Sequence, residues 1–222
     1  MKEFCKCLFL PPRCPHCNAV LGFVSECAAC RAELPNLRCG SAPIVRRDVR
    51  FLKEVHAVYD YRKPIRGAVE RLKFNDEPQL ADVFGDEMAE LAQQCGLRAD
   101  LIVPVPMRRR KLRERGYSAP LLLAQRVGRR LDIPVAQVLE KIAETPDQHG
   151  LTRQERKANL LGAFEVMDKS VVRGKRILLI DDVFTTGATL EECAKMLLAA
   201  DADRCDALCF AQTPEKSVSK TK

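Results

Sequence analysis

Apolar residues recur at helical spacing in KPIRGAVERLKF (63–74) and again in QLADVFGDEMAELAQQC (79–95), and each stretch predicts an amphipathic helix. The pattern then changes. ADLIVPVP (99–106) is a short apolar run closed by prolines, as expected of a buried strand that ends in a loop. APLLLAQRVGRRLD (119–132) returns to helical spacing, with Leu122, Leu123 and Val127 on its apolar side. VAQVLEKIA (135–143) has strand character toward its middle and is otherwise ambiguous. LTRQERKANLLG (151–162) predicts a helix, with Thr152 as cap and Glu155 three residues on completing a capping box. AFEVM (163–167) and KRILLID (175–181) read as strands, TLEECAKMLLAA (189–200) as a helix and RCDALCFAQT (204–213) as a last strand. Strands alternating with helices, some of them apolar throughout, indicate a parallel sheet covered on both faces. The expected fold from residue 51 onward is α/β.

The N-terminus breaks this alternation. Residues 1–42 are rich in cysteine and proline and weak in periodicity, which suggests a small element held by something other than a core. Residues 43–58 are polar and basic and read as a linker, 59–214 as the main domain, and the tail 215–222 as disordered. No apolar run reaches the length of a membrane span, so no membrane insertion is expected. MKEFCKCLFLPP has no signal-like core or cleavage site, which makes the cytoplasm the default location.

In a reducing compartment, the eleven cysteines are not expected to form disulfides. CPHC (14–17) and CAAC (27–30) are two knuckles separated by nine residues. Together Cys14, Cys17, Cys27 and Cys30 make the four-thiolate set of a structural zinc. A thioredoxin-type redox pair is the rival reading, but that motif opens a helix inside a βαβ unit, and none surrounds these knuckles. Cys5, Cys7, His16 and Cys39 are further ligand candidates that spacing does not place. Cys193, Cys205 and Cys209 lie in or beside apolar segments and read as small buried hydrophobes.

Charge narrows the choice of partner. The chain carries a net +7, and between Pro104 and Arg130 nine cations face the single acid Glu114. That local +8 leaves −1 for everything else, so the excess is concentrated and implies an anionic partner. Arg108, Arg109, Arg110, Lys111, Arg113 and Arg115 put six cations within eight residues, more than one diphosphate needs. Single-stranded DNA is the second candidate for them, although only Tyr117 interleaves the run as a stacking residue. Arg126, Arg129 and Arg130 follow helical spacing and read as a solvated face.

The stretch ILLIDDVFTTGATL (177–190) carries the clearest chemistry. Four aliphatic residues form a strand, and in a doubly wound sheet ligands sit at the carboxyl ends of strands. Asp181 and Asp182 would emerge there, followed by the turn Thr185, Thr186, Gly187, Ala188 and Thr189 into a helix. Backbone N–H groups at that helix start favour a phosphate, Gly187 permits close approach, and the threonine hydroxyls add donors. A carboxylate beside a phosphate repels it unless it serves a diol or a shared metal. A phosphorylated ribose, with Mg2+ on a further diphosphate, satisfies the whole stretch.

The same residues resemble the signature of type I phosphoribosyltransferases: four hydrophobics, two acids, then Thr-Thr-Gly-Ala-Thr. That resemblance implies phosphoribosyl diphosphate as ligand, with Asp181 and Asp182 on the ribose hydroxyls. It also implies the 5′-phosphate in residues 185–189 and Mg2+-diphosphate at Val105, Pro106 and Met107. The implied reaction is displacement of diphosphate from the anomeric carbon by a nitrogen nucleophile, with Asp181 and Asp182 as catalytic candidates and Asp182 stabilising charge at that carbon or on the incoming base. More narrowly, IVPVPMRRRKLRERGYSAPLL and TPDQHGLTRQERKANLLGAF resemble the ComF family of competence-associated proteins, whose likeness covers nearly the whole chain. Tyr117-Ser118-Ala119 departs from the Phe-Asn-Gln expected of that family. The resemblance implies a type I phosphoribosyltransferase fold with a zinc-ribbon-like N-terminus and a role in DNA uptake. Two functions remain open: a phosphoribosyl-transferring enzyme, or a non-enzymatic accessory that binds single-stranded DNA and a helicase-like uptake partner. A ligand-sensing regulator ranks last, because no helix-turn-helix pattern is visible.

Overall fold

A computed structural model describes residues 11–22, 24–45, 49–142 and 162–214. Strands β1 (Val55–Asp60), β2 (Leu101–Pro104), β5 (Arg176–Phe184) and β6 (Arg204–Gln212) form one parallel sheet, ordered β1-β6-β5-β2. Between β2 and β5 in sequence, β3 (Leu139–Lys141) and β4 (Phe164–Val166) pair antiparallel as a separate ribbon. Alternate residues of β5 enter different cores: Leu178 and Ile180 face one apolar cluster, Ile177 and Leu179 the other. Both faces are therefore covered, which is why residues 177–180 are apolar without alternation.

Helices α2 (Ile65–Phe74), α3 (Leu80–Gln94) and α5 (Ala119–Leu131) cover the first face. Helix α7 (Ala188–Leu198) and the β3–β4 ribbon cover the second. On α5 the buried residues are Ala119, Pro120, Leu123, Ala124, Val127 and Gly128, with Leu122 at the margin of the core. Gly85 of α3 lets the two helices meet, since a Cβ there would lie 2.5 Å from Arg126 Cβ. Ser118 caps α5 by accepting from the Leu121 N–H. Cys193, Cys205 and Cys209 are buried in the second cluster, as their apolar surroundings predict.

Three features depart from the sequence reading. The stretch 43–58, expected as a linker, ends in strand β1, and the residues before β1 are tied down as well. The N–H groups of Arg50, Phe51 and Leu52 donate to the Glu191 carboxylate at 2.8–3.2 Å, and the Glu54 N–H donates to Asp206. Backbone pairing, which leaves no trace in side-chain polarity, holds this segment. Helix α1 (Ala28–Leu37) stands where no periodicity was seen; its N-cap is a thiol, with Cys27 Sγ accepting from the Cys30 N–H at 3.3 Å. The basic run forms a short helix, α4 (Arg109–Arg115), and α6 (Lys169–Val172) precedes β5. The ambiguous stretch 135–143 holds strand β3, whereas the expected capping box at Thr152 and Glu155 and the tail 215–222 lie outside the described residues.

Candidate functional site

Strand β5 continues through both aspartates to Phe184, still paired with β6, and delivers Asp181 and Asp182 to the carboxyl edge of the sheet. Val105 lies beside them, because its N–H donates to the Ile180 carbonyl at 2.9 Å just beyond β2. The edge opens as a cleft of about 690 Å³. Asp181, Asp182, Thr185 and Thr189 line one side, while Val105, Pro106, Met107 and Arg108 line another. The sequence-predicted acids, phosphate turn and diphosphate loop thus meet in one place.

The two carboxyls are not equivalent. Asp182 is buried, and its Oδ1 lies 2.6 Å from the Lys73 ammonium. Loss of water around Lys73 works against its charge, but Asp182 and Asp181 outweigh this and hold the ammonium's pKa above its ordinary value. Asp181 Oδ1 accepts the Asp182 N–H at 2.8 Å. Burial, then the neighbouring Asp182 charge, push the Asp181 carboxyl up to about 7. Asp182 is thus paired with Lys73, whereas the Asp181 carboxyl is raised toward neutrality.

The turn from Thr185 to Thr189 leads from β5 into α7. Gly187 has φ 80° and caps α7, and a Cβ there would lie 2.8 Å from the Phe184 ring. Thr186 Oγ1 accepts the Ala188 N–H at 3.4 Å, and Ala188 packs against the core. Thr185 and Thr189 are the threonines that reach the cleft. Glu191 sits in the first turn of α7, where its charge is favourable to the helix dipole, and it is engaged by the backbone of residues 50–52.

The basic run divides. Arg108, Lys111 and Arg115 line the cleft, whereas Arg109 and Arg110 are exposed and make ion pairs with Glu140 and Glu114. Arg113 is exposed as well. Arg126 makes a bidentate pair with Asp86 at 2.6–2.7 Å, while Arg129 and Arg130 reach Asp82 and Asp86. The α5 arginines therefore bind α3 rather than forming a purely solvated face. The cleft residues that residue reasoning missed include Lys73, Phe74 and Lys141. Burial, with Arg108 and Lys111 nearby, holds the Lys141 ammonium down to about 8.

On the far side of α2, the cysteine knuckles converge. The thiols of Cys14, Cys17, Cys27 and Cys30 all lie within 4.8 Å of one another, with Cys17 and Cys27 Sγ 3.4 Å apart. Tetrahedral Zn–S bonds place sulfurs about 3.8 Å apart, so this donor set fits zinc. Burial opposes ionisation of Cys14, yet backbone hydrogen bonds from Cys27, Cys17 and His16 pull its thiol down to about 6. His16 is turned away, with its Nε2 3.2 Å from a Glu87 carboxylate oxygen and its ring against Phe84 and Tyr59. Cys39 also stands apart, between Asp60 and Gln212, whereas Cys5 and Cys7 lie outside the described residues. The knuckle is docked on α2, because the Pro15 carbonyl accepts from buried Arg71, two residues before Lys73.

Among the described residues, no helix is long and apolar enough to cross a membrane. Residues 118–222 match the model of the phosphoribosyl transferase domain. The chain is similar to the DNA utilization protein YhgH of Salmonella typhimurium, with 31% identity over 88% of this chain and 88% of that protein. It is 28% identical to Competence protein F of Haemophilus influenzae over 84% of this chain and 78% of that one. Solved structures that resemble it include a glutamine phosphoribosylpyrophosphate amidotransferase from B. subtilis. That likeness has 18% identity and a TM-score of 0.44, and covers 63% of this chain and 30% of that one. With its signature, parallel sheet and cysteine knuckles in the same chain as these matches, the protein belongs to the ComF family of competence-associated, type I phosphoribosyltransferase-like proteins.

Proposed function

We propose that the cleft binds phosphoribosyl diphosphate with Mg2+ and that the protein acts in the uptake or handling of DNA. The observation that carries the ligand is the juxtaposition, in one cleft, of two aspartates, two threonines of a helix-capping turn, and Arg108 with Lys111. The diol takes the carboxylates, the 5′-phosphate takes the turn, and the diphosphate takes the Val105–Met107 loop and its cations. Asp181 and Asp182 supply hard oxygen donors that suit Mg2+ arriving on the diphosphate. When bound, the ion neutralises charge on that leaving group. Lys73 pairs with Asp182 and orients it. The role in DNA rests on the names of the relatives, one a competence protein and one a DNA utilization protein. Zinc in the four-cysteine knuckle is structural in this reading. Binding of phosphoribosyl diphosphate is tested against an Asp181→Asn/Asp182→Asn variant. Affinity present in the wild-type chain and absent from the variant supports the reading, and equal affinity overturns it.

A second reading, a single-strand-binding accessory that performs no transfer, is favoured by the exposed arginines of α4 that do not line the cleft. An Arg109→Ala/Arg110→Ala/Arg113→Ala variant is then expected to lose single-strand affinity. The slope of log affinity against log salt should fall with it, by about 0.7 per phosphate contact removed. An unchanged slope and affinity count against α4 as the DNA contact.

A further inference from the structure

Phe74 closes helix α2 and is 68% exposed. The apolar residues that pack this helix are Ile65, Ala68, Val69 and Leu72, and Phe74 lies off their stripe. Its neighbour is a cation: the Arg115 guanidinium carbon sits 4.8 Å from the ring centroid. The two come from elements 41 positions apart in sequence that are clamped together. Tyr117 donates its hydroxyl to the Leu72 carbonyl at 2.7 Å, and the Asn75 N–H closes α2 onto Arg71. Gly116, at φ 79°, ends α4 directly after Arg115. Phe74 and Arg115 both line the cleft, and Lys73, next to the ring in sequence, is in contact with Asp182.

An exposed phenyl ring held beside a guanidinium, next to groups suited to sugar and phosphate, matches the surface on which nucleobases stack. Phosphoribosyl diphosphate has no base and leaves such a ring without use. We infer that Phe74, buttressed by Arg115, is a stacking platform for a nucleobase at the rim of the cleft. This goes beyond the phosphoribosyl reading. The base belongs either to a free nucleobase that meets the sugar phosphate or to a single strand lying along α4. The stacking chemistry is common to both.

The chain contains no tryptophan, so Phe74→Trp introduces a single indole at the platform. Three probes are titrated: a dT20 oligomer, an abasic phosphodiester oligomer of the same length, and adenine. Stacking quenches the indole with dT20 or adenine, and the abasic oligomer leaves it unquenched. Phe74→Ala should weaken a base-bearing probe by roughly 5- to 150-fold, well beyond its effect on the abasic oligomer, and Phe74→Tyr should restore it. Because the ring is outside the core, thermal melts of both variants should match the wild-type chain. Loss confined to dT20 assigns the platform to a strand, and loss confined to adenine assigns it to a free base. Equal affinity of the wild-type chain and Phe74→Ala for both probes, or no binding of either, overturns the inference. Phosphoribosyl diphosphate binding is scored separately, so failure of the platform and failure of the sugar-phosphate site are distinguishable.

Discussion

Of two adjacent carboxylates on β5, Asp182 pairs with Lys73 whereas burial pushes Asp181 up, and this asymmetry has a consequence for stability. Asp181 titrates near 7 in the folded chain against an ordinary value of 3.8. Between those values the folded chain keeps a proton that the unfolded chain has lost, so stability falls as pH rises from about 4 to about 7. Asparagine carries no such proton. Asp181→Asn should therefore flatten this slope and, above pH 7, exceed the wild-type chain in stability by on the order of a few kcal/mol. Thermal melts from pH 4 to 8 check this, and parallel wild-type and variant curves would contradict the assignment. At this scale the acids, the threonines and Gly187 were legible, since they sit together in one 14-residue stretch. Lys73, Phe74 and Lys141 were not, because only the fold brings α2 and β3 to the end of β5. Phe74 did leave one local signal, an aromatic residue off the apolar stripe of its own helix.

At the scale of elements, periodicity found the helices that bury a stripe and the strands that bury both faces. It did not find α1, whose cap is a cysteine thiol, or the first strand, whose neighbours are ordered by backbone bonds to Glu191 and Asp206. Charge was legible as a total and illegible as a partition. Asp82 and Asp86 of α3 pair with the three α5 arginines, whereas in the basic run Arg109 and Arg110 pair with Glu140 and Glu114 and Arg108, Lys111 and Arg115 line the cleft. The cysteine knuckle shows how a metal would act on this frame. Buried His16 and the Arg71–Pro15 contact press it against β1, α2 and α3. One zinc per chain is expected in the purified protein, and Cys14→Ser/Cys30→Ser should lose it. Trypsin cleavage at Arg31 and Arg38 should then accelerate severalfold as the element loosens. Elemental analysis and a digestion time course read both effects, and a full equivalent of zinc retained by the variant would sink the assignment.

Across the whole molecule, a sheet with order β1-β6-β5-β2 gathers the two acids, Thr185, Thr189, Arg108, Lys111 and Arg115 at its carboxyl edge, with the cysteine knuckle on the opposite side of α2. The match to the phosphoribosyl transferase domain spans the signature stretch, and the cleft brings its two acids beside Thr185 and Thr189. The α4 arginines and the Phe74 platform extend outward from it, where a polymer or a base has room. The account therefore depends on whether the cleft still takes a sugar diphosphate. Isothermal titration of phosphoribosyl diphosphate into the wild-type chain, first with Mg2+ and then with the ion chelated, tests this most directly. Saturable binding that weakens at least tenfold without Mg2+ is the expected result. Absence of heat at millimolar ligand in the presence of Mg2+ would contradict it, and would leave the acids and the turn as a retained architecture without their ligand.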